Sequence, residues 1–236
     1  MSDECKAIID FLGCEYELIK NGKSGYVMER FRALTEQGAA EGFFPLMIVP
    51  SDTLLDSLEI GAEEAEGEDS AARRDAVLRA AQDINAQKVF AQQMEERELD
   101  EDELEEMLGD FDASDFFSDG FGMGEPELLI AKIPAKHPWE LAAWVPMGGF
   151  NECPLPEEQA AVFRYWYEKY SAIPRLVTFD IWEMNVAKPP RTQAEAEALA
   201  KEQYAFCPDI VAQGTETIRA LASGLINSPV WQFWWD

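Results

Sequence analysis

The sequence predicts an α/β fold, with α+β as the alternative: a central mixed sheet flanked by helices, with an acidic helical insertion. Segments with helical spacing alternate with short apolar runs typical of strands. The chain has 236 residues, 47% of them hydrophobic, which is enough to bury a core without disulfides or a metal. Its 46 acidic and 19 basic residues are unevenly distributed, which predicts where the insertion lies.

The acidic stretch divides the chain into three parts. Residues 59–127 contain 23 acids and 5 bases, a net charge of −18 out of −27 for the whole chain. We therefore predict an N-terminal βαβ-like part (1–58), an acidic, partly helical insertion (59–127) and a C-terminal α/β part of the same domain (128–236).

In the N-terminal part, Cys5, Ile8 and Leu12 have helical spacing, and Gly13 ends that helix. CEYELI then alternates like a half-buried strand. A second helix is predicted to end at Gly38, before the apolar strand FFPLMIVP. Strand, helix and strand in this order predict a right-handed βαβ unit with parallel strands.

In the insertion, EIGAEEAEGEDS lacks apolar periodicity and is predicted to be a solvated linker. Two acidic helices follow: one along AARRDAVLRAAQDINAQKVFAQQMEEREL and one that begins near Asp100 as its N-cap and ends near Phe111. DFDASDFFSDGFGMGEPE is rich in glycine and acids, which favours turns.

In the C-terminal part, ELLIAKIP predicts a strand, and LPEEQAAVFRYWYEKY predicts a helix with Pro156 in its first turn. The apolar phase of RLVTFDIWEMNV reverses near Ile181, which indicates a bulge or a break between two strands. A capping box, Thr192 with Glu195, opens a helix through about Phe206. A short helix and the terminal strand VWQFWW follow.

Composition and charge exclude several classes of function. The acidity makes nucleic acid and anionic membranes poor partners, because both require cations. The N-terminus lacks the features of a secretory signal, and no stretch is long and apolar enough to span a bilayer. Four cysteines without a C-x-x-C pair, and a single histidine, predict reduced thiols in the cytoplasm, with no metal site and no cofactor.

Three segments of the C-terminal part stand out: HPWELAAWVPMGGFNECPLPEEQAAVFRYWYEKYSAIP, AKPPRTQAEAEALAKEQYAFCPDIVAQG and the terminal VWQFWWD. They resemble a bacterial family of unknown function, number 4253. The resemblance is strong over 128–236 and weak over 43–50, and the acidic stretch is not part of the pattern. It implies a compact bacterial α/β domain, and the family carries no activity that can be transferred.

One candidate pocket is predicted from the loop PMGGFNECP, the CPD segment and the Trp-rich C-terminal strand. Paired glycines let a backbone approach a ligand closely, although they more often form turns. Aromatic side chains of the terminal strand either line the pocket or pack in the core. The candidate residues are Trp144, Gly148, Gly149, Asn151, Glu152, Cys207, Asp209 and Trp231.

Other candidate chemistry is incomplete. Cys207 with His137 is conceivable as a nucleophile and base, but no local motif supports it. Asp110, Asp112 and Ser114 imitate the start of a calcium loop, yet its glycine and its last glutamate are missing. Glu152, Glu157 and Glu158 can be read as acid–base groups or as residues that favour a helix start.

The sequence favours a non-enzymatic, cytoplasmic protein-binding module of the immunity or adaptor type, which binds a basic protein through its acidic surface. The alternative is an enzyme or small-ligand binder that uses the pocket described above, and it predicts that Asn151, Cys207 and Asp209 converge. A third possibility is a structural module that docks through the insertion. The sequence leaves the identity of the partner and the oligomeric state open.

Overall fold

The computed structural model describes residues 1–64, 69–97, 101–110 and 127–236, except for the side chains of 61–64 and 101–104. A mixed six-stranded sheet packs against helices in this part of the chain, which confirms the predicted fold class. The strands are β1 (Glu15–Lys20), β2 (Phe44–Ile48), β3 (Glu127–Ile133), β4 (Ala172–Val177), β5 (Ile181–Val186) and β6 (Val230–Trp234). The helices are α1 (Asp3–Leu12), α2 (Ser24–Glu41), α3 (Asp52–Glu64), α4 (Ser70–Asp83), α5 (Ala86–Glu96), α6 (Glu101–Leu108), α7 (Leu141–Trp144), α8 (Pro156–Tyr170), α9 (Gln193–Phe206) and α10 (Ile218–Leu225).

The strand order is β1-β3-β2-β4-β5-β6. β3 is antiparallel to both β1 and β2, so those two strands run in the same direction, as predicted, but they do not pair with each other. The simple βαβ unit is therefore wrong in one respect, because a strand from beyond the acidic stretch lies between its two strands. β2 pairs with β4 in parallel, and the other pairings are antiparallel.

The predicted end of α2 at Gly38 is also wrong, since the helix continues to Glu41 and Gly42 adopts the left-handed C-cap conformation, with φ of 84°. A Cβ on Gly38 would collide with the carbonyl oxygen of Phe43. Gly38 thus serves a close approach inside the helix, whereas Gly42 supplies the left-handed turn.

The sheet has a different apolar layer on each face. On one face, α2 contributes Val27, Phe31 and Leu34 to a cluster with Met47 and Ile130. The apolar layer on the other face is larger, and there α8 and α9 cover the strands with aromatic rings. Trp166 of α8 stacks on Phe233 of β6, with ring centroids 5.2 Å apart, and Phe206 of α9 meets the same ring edge-on at 5.3 Å.

In the described residues, the acidic stretch forms helices, and two of them, α4 and α5, pack against this second layer. Helix α3 reaches Glu64, so the predicted linker is wrong over residues 59–64, and its residues 65–68 lie outside the described part. The predicted long helix is two helices, α4 and α5, separated at Ile84 and Asn85. Helix α6 is present, whereas the predicted cap Asp100 and the turn-rich segment from 111 to 126 lie outside the described residues.

The elements of the C-terminal part are confirmed. The apolar phase reverses near Ile181 because β4 and β5 form an antiparallel pair around the turn at 178–180. The capping box of α9 forms with both of its hydrogen bonds. No helix in the described ranges has the length and apolarity needed to cross a membrane.

Candidate functional site

The loop 148–153 joins α7 to α8 and has an unusual backbone. Gly148, Gly149, Asn151 and Glu152 all have positive φ angles, of 134°, 76°, 44° and 60°. Asparagine tolerates the left-handed region, but glutamate seldom adopts it, so Glu152 is held there by its surroundings.

A buried glutamine holds this loop on the core. The Gln159 side-chain amide donates to the carbonyl oxygens of Met147 at 2.6 Å and Pro154 at 2.7 Å, and its oxygen accepts from Trp182 Nε1 at 2.8 Å. A Cβ on Gly148 would lie 2.6 Å from Gln159 Nε2 and would collide with the carbonyl oxygen of Pro154. Gly148 is therefore required for close packing.

Glu152 meets the insertion at a polar cleft of about 590 Å³ lined by α5, α9 and the start of the π-helical turn Ile210–Thr215. Its carboxylate lies 3.3 Å from Arg97 Nη2, and the same nitrogen donates to the carbonyl oxygen of Ala205 at 3.2 Å. The Arg97 guanidinium also lies 5.2 Å from the centroid of the Tyr204 ring. Arg97 thus joins the insertion, the loop and α9.

Asp209 lines the same cleft. Its Oδ2 accepts the backbone N–H of Asp236 at 2.9 Å, and its Oδ1 accepts from Gln213 at 3.3 Å. Its side chain makes no N-cap hydrogen bond to the turn that follows. Asn151 lines a separate, smaller cleft of about 260 Å³ that Asp236 also lines.

Cys207 and Trp231 are fully buried. The Cys207 thiol donates to the carbonyl oxygen of Trp234 at 2.9 Å, while the Trp231 ring packs edge-on against Trp166 and Tyr170. Burial raises the pKa of the Cys207 and Cys153 thiols well above their ordinary values. Neither thiol is activated as a nucleophile, because that role requires a lowered pKa.

The candidate residues are therefore divided among several places. Glu152 and Asp209 line one cleft and Asn151 lines the next, so Asn151, Cys207 and Asp209, which the pocket hypothesis expects to converge, do not share one cleft. Cys207 and Trp231 lie in the core beneath them, and Trp144 packs against Arg74 of α4, whose guanidinium carbon is 3.9 Å from its ring centroid.

Two residues of the candidate site, Gln159 and Arg97, escape sequence reasoning. Gln159 shares its helix face with Val162, Phe163 and Trp166, and a polar residue on such an apolar face signals a buried hydrogen-bonding role. No comparable signal exists for Arg97, because its contact with Glu152 spans 55 residues.

His137 stacks on Trp139, with ring centroids 4.3 Å apart, at the start of a short 3₁₀ turn (Pro138–Glu140). Glu158 accepts the backbone N–H of Leu155 at 2.9 Å and so caps α8, as its helix-start reading predicts. In the calcium-like segment Asp110 is exposed, and Asp112 and Ser114 lie outside the described residues. Within the described ranges no group of three or more His, Cys, Asp or Glu side chains has a metal-binding arrangement.

In its described residues, the insertion exposes acids to solvent, whereas Arg74 and Arg97 contact the rest of the protein. Its exposed cations over the described residues 69–97 and 105–110 are Arg79 and Lys88. Arg164 of α8 donates to the carbonyl oxygens of Ala81 and Ile84 at the end of α4, and Arg219 of α10 donates to that of Gly109. The exposed acids in the same residues are Asp69, Asp75, Asp83, Glu95, Glu96, Glu105, Glu106 and Asp110; we call them the acidic face.

The chain matches no curated protein and no solved structure. The sequence model of one family matches residues 129–236, which begin in β3 and include the 148–153 loop, α8, α9 and β6. The family is the one described as "Domain of unknown function (DUF4253)", and this part of the chain is similar to it.

Proposed function

We propose that this protein is a non-enzymatic binding module of the immunity or adaptor type, whose acidic face binds a basic protein. The observation that carries the proposal is the division of charge in the insertion. Arg74 and Arg97 contact the rest of the protein, whereas eight acids and two cations are exposed over the described residues 69–97 and 105–110. The helices thus present a predominantly negative surface that the fold holds in place.

Such a surface accelerates association with a partner of opposite charge and makes binding sensitive to salt. Helix α5, which carries part of the acidic face, is packed on the rest of the protein, because its Phe90 contacts the rings of both Tyr165 and Trp166 in α8. A preformed surface avoids the entropic cost of ordering a segment on binding.

The test combines identification with a charge-matched pair of variants. Partners are captured on the full chain from its source cells at low salt and purified, and their affinity is measured over a series of salt concentrations. The variant of the acidic face carries Asp75→Asn, Asp83→Asn and Glu95→Gln. The control makes the same charge change on α1 and α2 with Asp10→Asn, Glu29→Gln and Glu36→Gln.

We expect one basic partner whose affinity falls steeply with salt, and falls at least about tenfold in the acidic-face variant but much less in the control. Equal losses in both variants would show that only the net charge matters. A salt-insensitive affinity would contradict the proposal directly.

A further inference from the structure

A third cleft, of about 570 Å³, lies between the insertion and the opposite side of the 148–153 loop. Its apolar walls include Phe11, Val77 and Phe150, and at its rim are Ile60 and Leu155, which are 57% and 48% exposed. Large apolar side chains around a concave surface are typical of small-molecule sites. We call this space the arginine cleft, because Arg73 and Arg74 also line it.

Arg74 is half-buried and lies over the face of the Trp144 ring. Desolvation by burial lowers the pKa of its guanidinium, which marks a cation that has lost water. Within the described residues, the Arg74 guanidinium donates to no hydrogen-bond acceptor. The neighbouring Arg73 guanidinium donates to the Ser70 hydroxyl at 3.4 Å.

The lack of a carboxylate or carbonyl acceptor sets Arg73 and Arg74 apart. Every other arginine that is at least partly buried in the described part of the chain donates to a carboxylate or a backbone carbonyl. These arginines are Arg30, Arg97, Arg164, Arg175 and Arg219. In a chain with 46 acids, two adjacent arginines that face an apolar cleft without such an acceptor are therefore suited to an anion from outside.

We propose that the arginine cleft binds an amphipathic monocarboxylate, with its carboxylate at Arg73 and Arg74 and its alkyl chain along Phe11, Ile60 and Leu155. A single negative charge fits better than several, because Glu157 also lines the cleft and the whole chain carries −27. The inference is independent of the acidic face and of its partner.

The alkyl chain supplies the apolar part of the affinity. Each methylene that leaves water for an apolar wall strengthens binding by up to about fourfold, until the cleft is filled. The affinity of straight-chain carboxylates is thus expected to rise from hexanoate to decanoate and then level off.

The experiment is calorimetric titration of the full-length protein with decanoate, decanol and decylamine, the two ions below their micellar concentrations and decanol below its solubility limit. We expect decanoate to bind more tightly than decanol and decylamine to bind most weakly. Arg74→Gln should weaken decanoate by about 10- to 100-fold and leave decanol nearly unchanged. Arg79→Gln is the matched control, because Arg79 lies on the same helix but is exposed and does not line the cleft.

Two further variants keep the outcome interpretable if Arg74→Gln loosens the fold. Arg74→Lys retains the charge and should lose less affinity, while Leu155→Ala should weaken decanoate and decanol equally. No decanoate binding, equal affinity for decanoate and decylamine, or equal losses in Arg74→Gln and Arg79→Gln would each overturn the proposal.

Discussion

Gln159 is a fully buried amide that joins two loop carbonyls to the indole N–H of Trp182 on β5. Both hydrogens of its NH₂ group and its oxygen are used, so an isosteric carboxylate cannot replace it. A glutamate at this position would place negative charge beside two carbonyl oxygens in the core.

We therefore expect Gln159→Glu to lower the free energy of unfolding by about 3 kcal/mol or more at neutral pH. The measurement is urea unfolding followed by tryptophan fluorescence. The matched control is Gln87→Glu, at an exposed position of α5, which should change stability by less than about 0.5 kcal/mol. Similar effects at the two positions would contradict the role assigned to Gln159.

Glu127 links the start of β3 to the beginning of the chain and to β1. Its carboxylate accepts the backbone N–H of Ser2 at 2.7 Å and lies 2.9 Å from Lys20 Nζ. The hydrogen bond from Ser2, followed by the one from Lys20, lowers the pKa of Glu127 from 4.5 to about 2.

A pKa lowered by folding stabilises the protein above the unfolded value of 4.5, and this stabilisation is lost as the pH falls toward about 2. Glu127→Gln should thus destabilise the protein at neutral pH, and its difference from the wild type should shrink between about pH 4.5 and about pH 2. Unfolding curves over this range provide the measurement. A difference that stays constant with pH would show that Glu127 acts without its charge; Glu29→Gln, exposed on α2, is the control.

At the scale of elements, α4 and α5 are part of the helical layer over the sheet. Ala81, Ala86, Val89 and Phe90 are buried in the same apolar cluster as α8 and α9. Removal of residues 59–127, which looks from the sequence like removal of an accessory segment, would expose the Trp166 side of α8. Point substitutions on the acidic face are for this reason the better test of partner binding.

Phe90→Ala should destabilise the whole fold by about 3–4 kcal/mol, because a cavity would replace a ring packed against Tyr165 and Trp166. Thermal melting followed by circular dichroism measures the loss. Phe179→Ala, in the exposed turn between β4 and β5, should cost less than about 1 kcal/mol. A small effect at Phe90, with α4 and α5 alone becoming mobile, would instead make the insertion an independent unit.

At the scale of the whole molecule, a net charge of −27 favours expansion through self-repulsion. Raising NaCl from roughly 0.02 M to roughly 0.5 M shortens the screening length to a few ångströms, so Tm should rise by roughly 5 °C. Scanning calorimetry checks this, and the acidic-face triple variant should show a smaller rise. A Tm that falls with salt would mean that ion pairs such as Arg30 with Glu17 outweigh the repulsion.

Most helices and strands were predictable because their signals are local. Gly13 ends α1, Thr192 and Glu195 open α9, and the phase reversal near Ile181 marks two strands. These features depend on backbone conformation and on the alternation of buried side chains over a few residues. For the candidate pocket, the sequence left open whether the aromatic side chains of the terminal strand line a pocket or pack in the core, and the structure buries Trp231 and Cys207 in the core.

The sequence by itself determined most elements, the acidic stretch and the family resemblance of the C-terminal part, since each depends on residue types in local order. Tertiary structure decided that β3 lies between β1 and β2, that Gln159 holds the 148–153 loop, and that Arg97 faces inward while Asp75 faces solvent. It also decided that Arg73 and Arg74 share an apolar cleft. These outcomes depend on packing between residues far apart in the chain. Local conformational preferences do not distinguish among such arrangements, whereas apolar burial and the need to hydrogen-bond buried polar groups do.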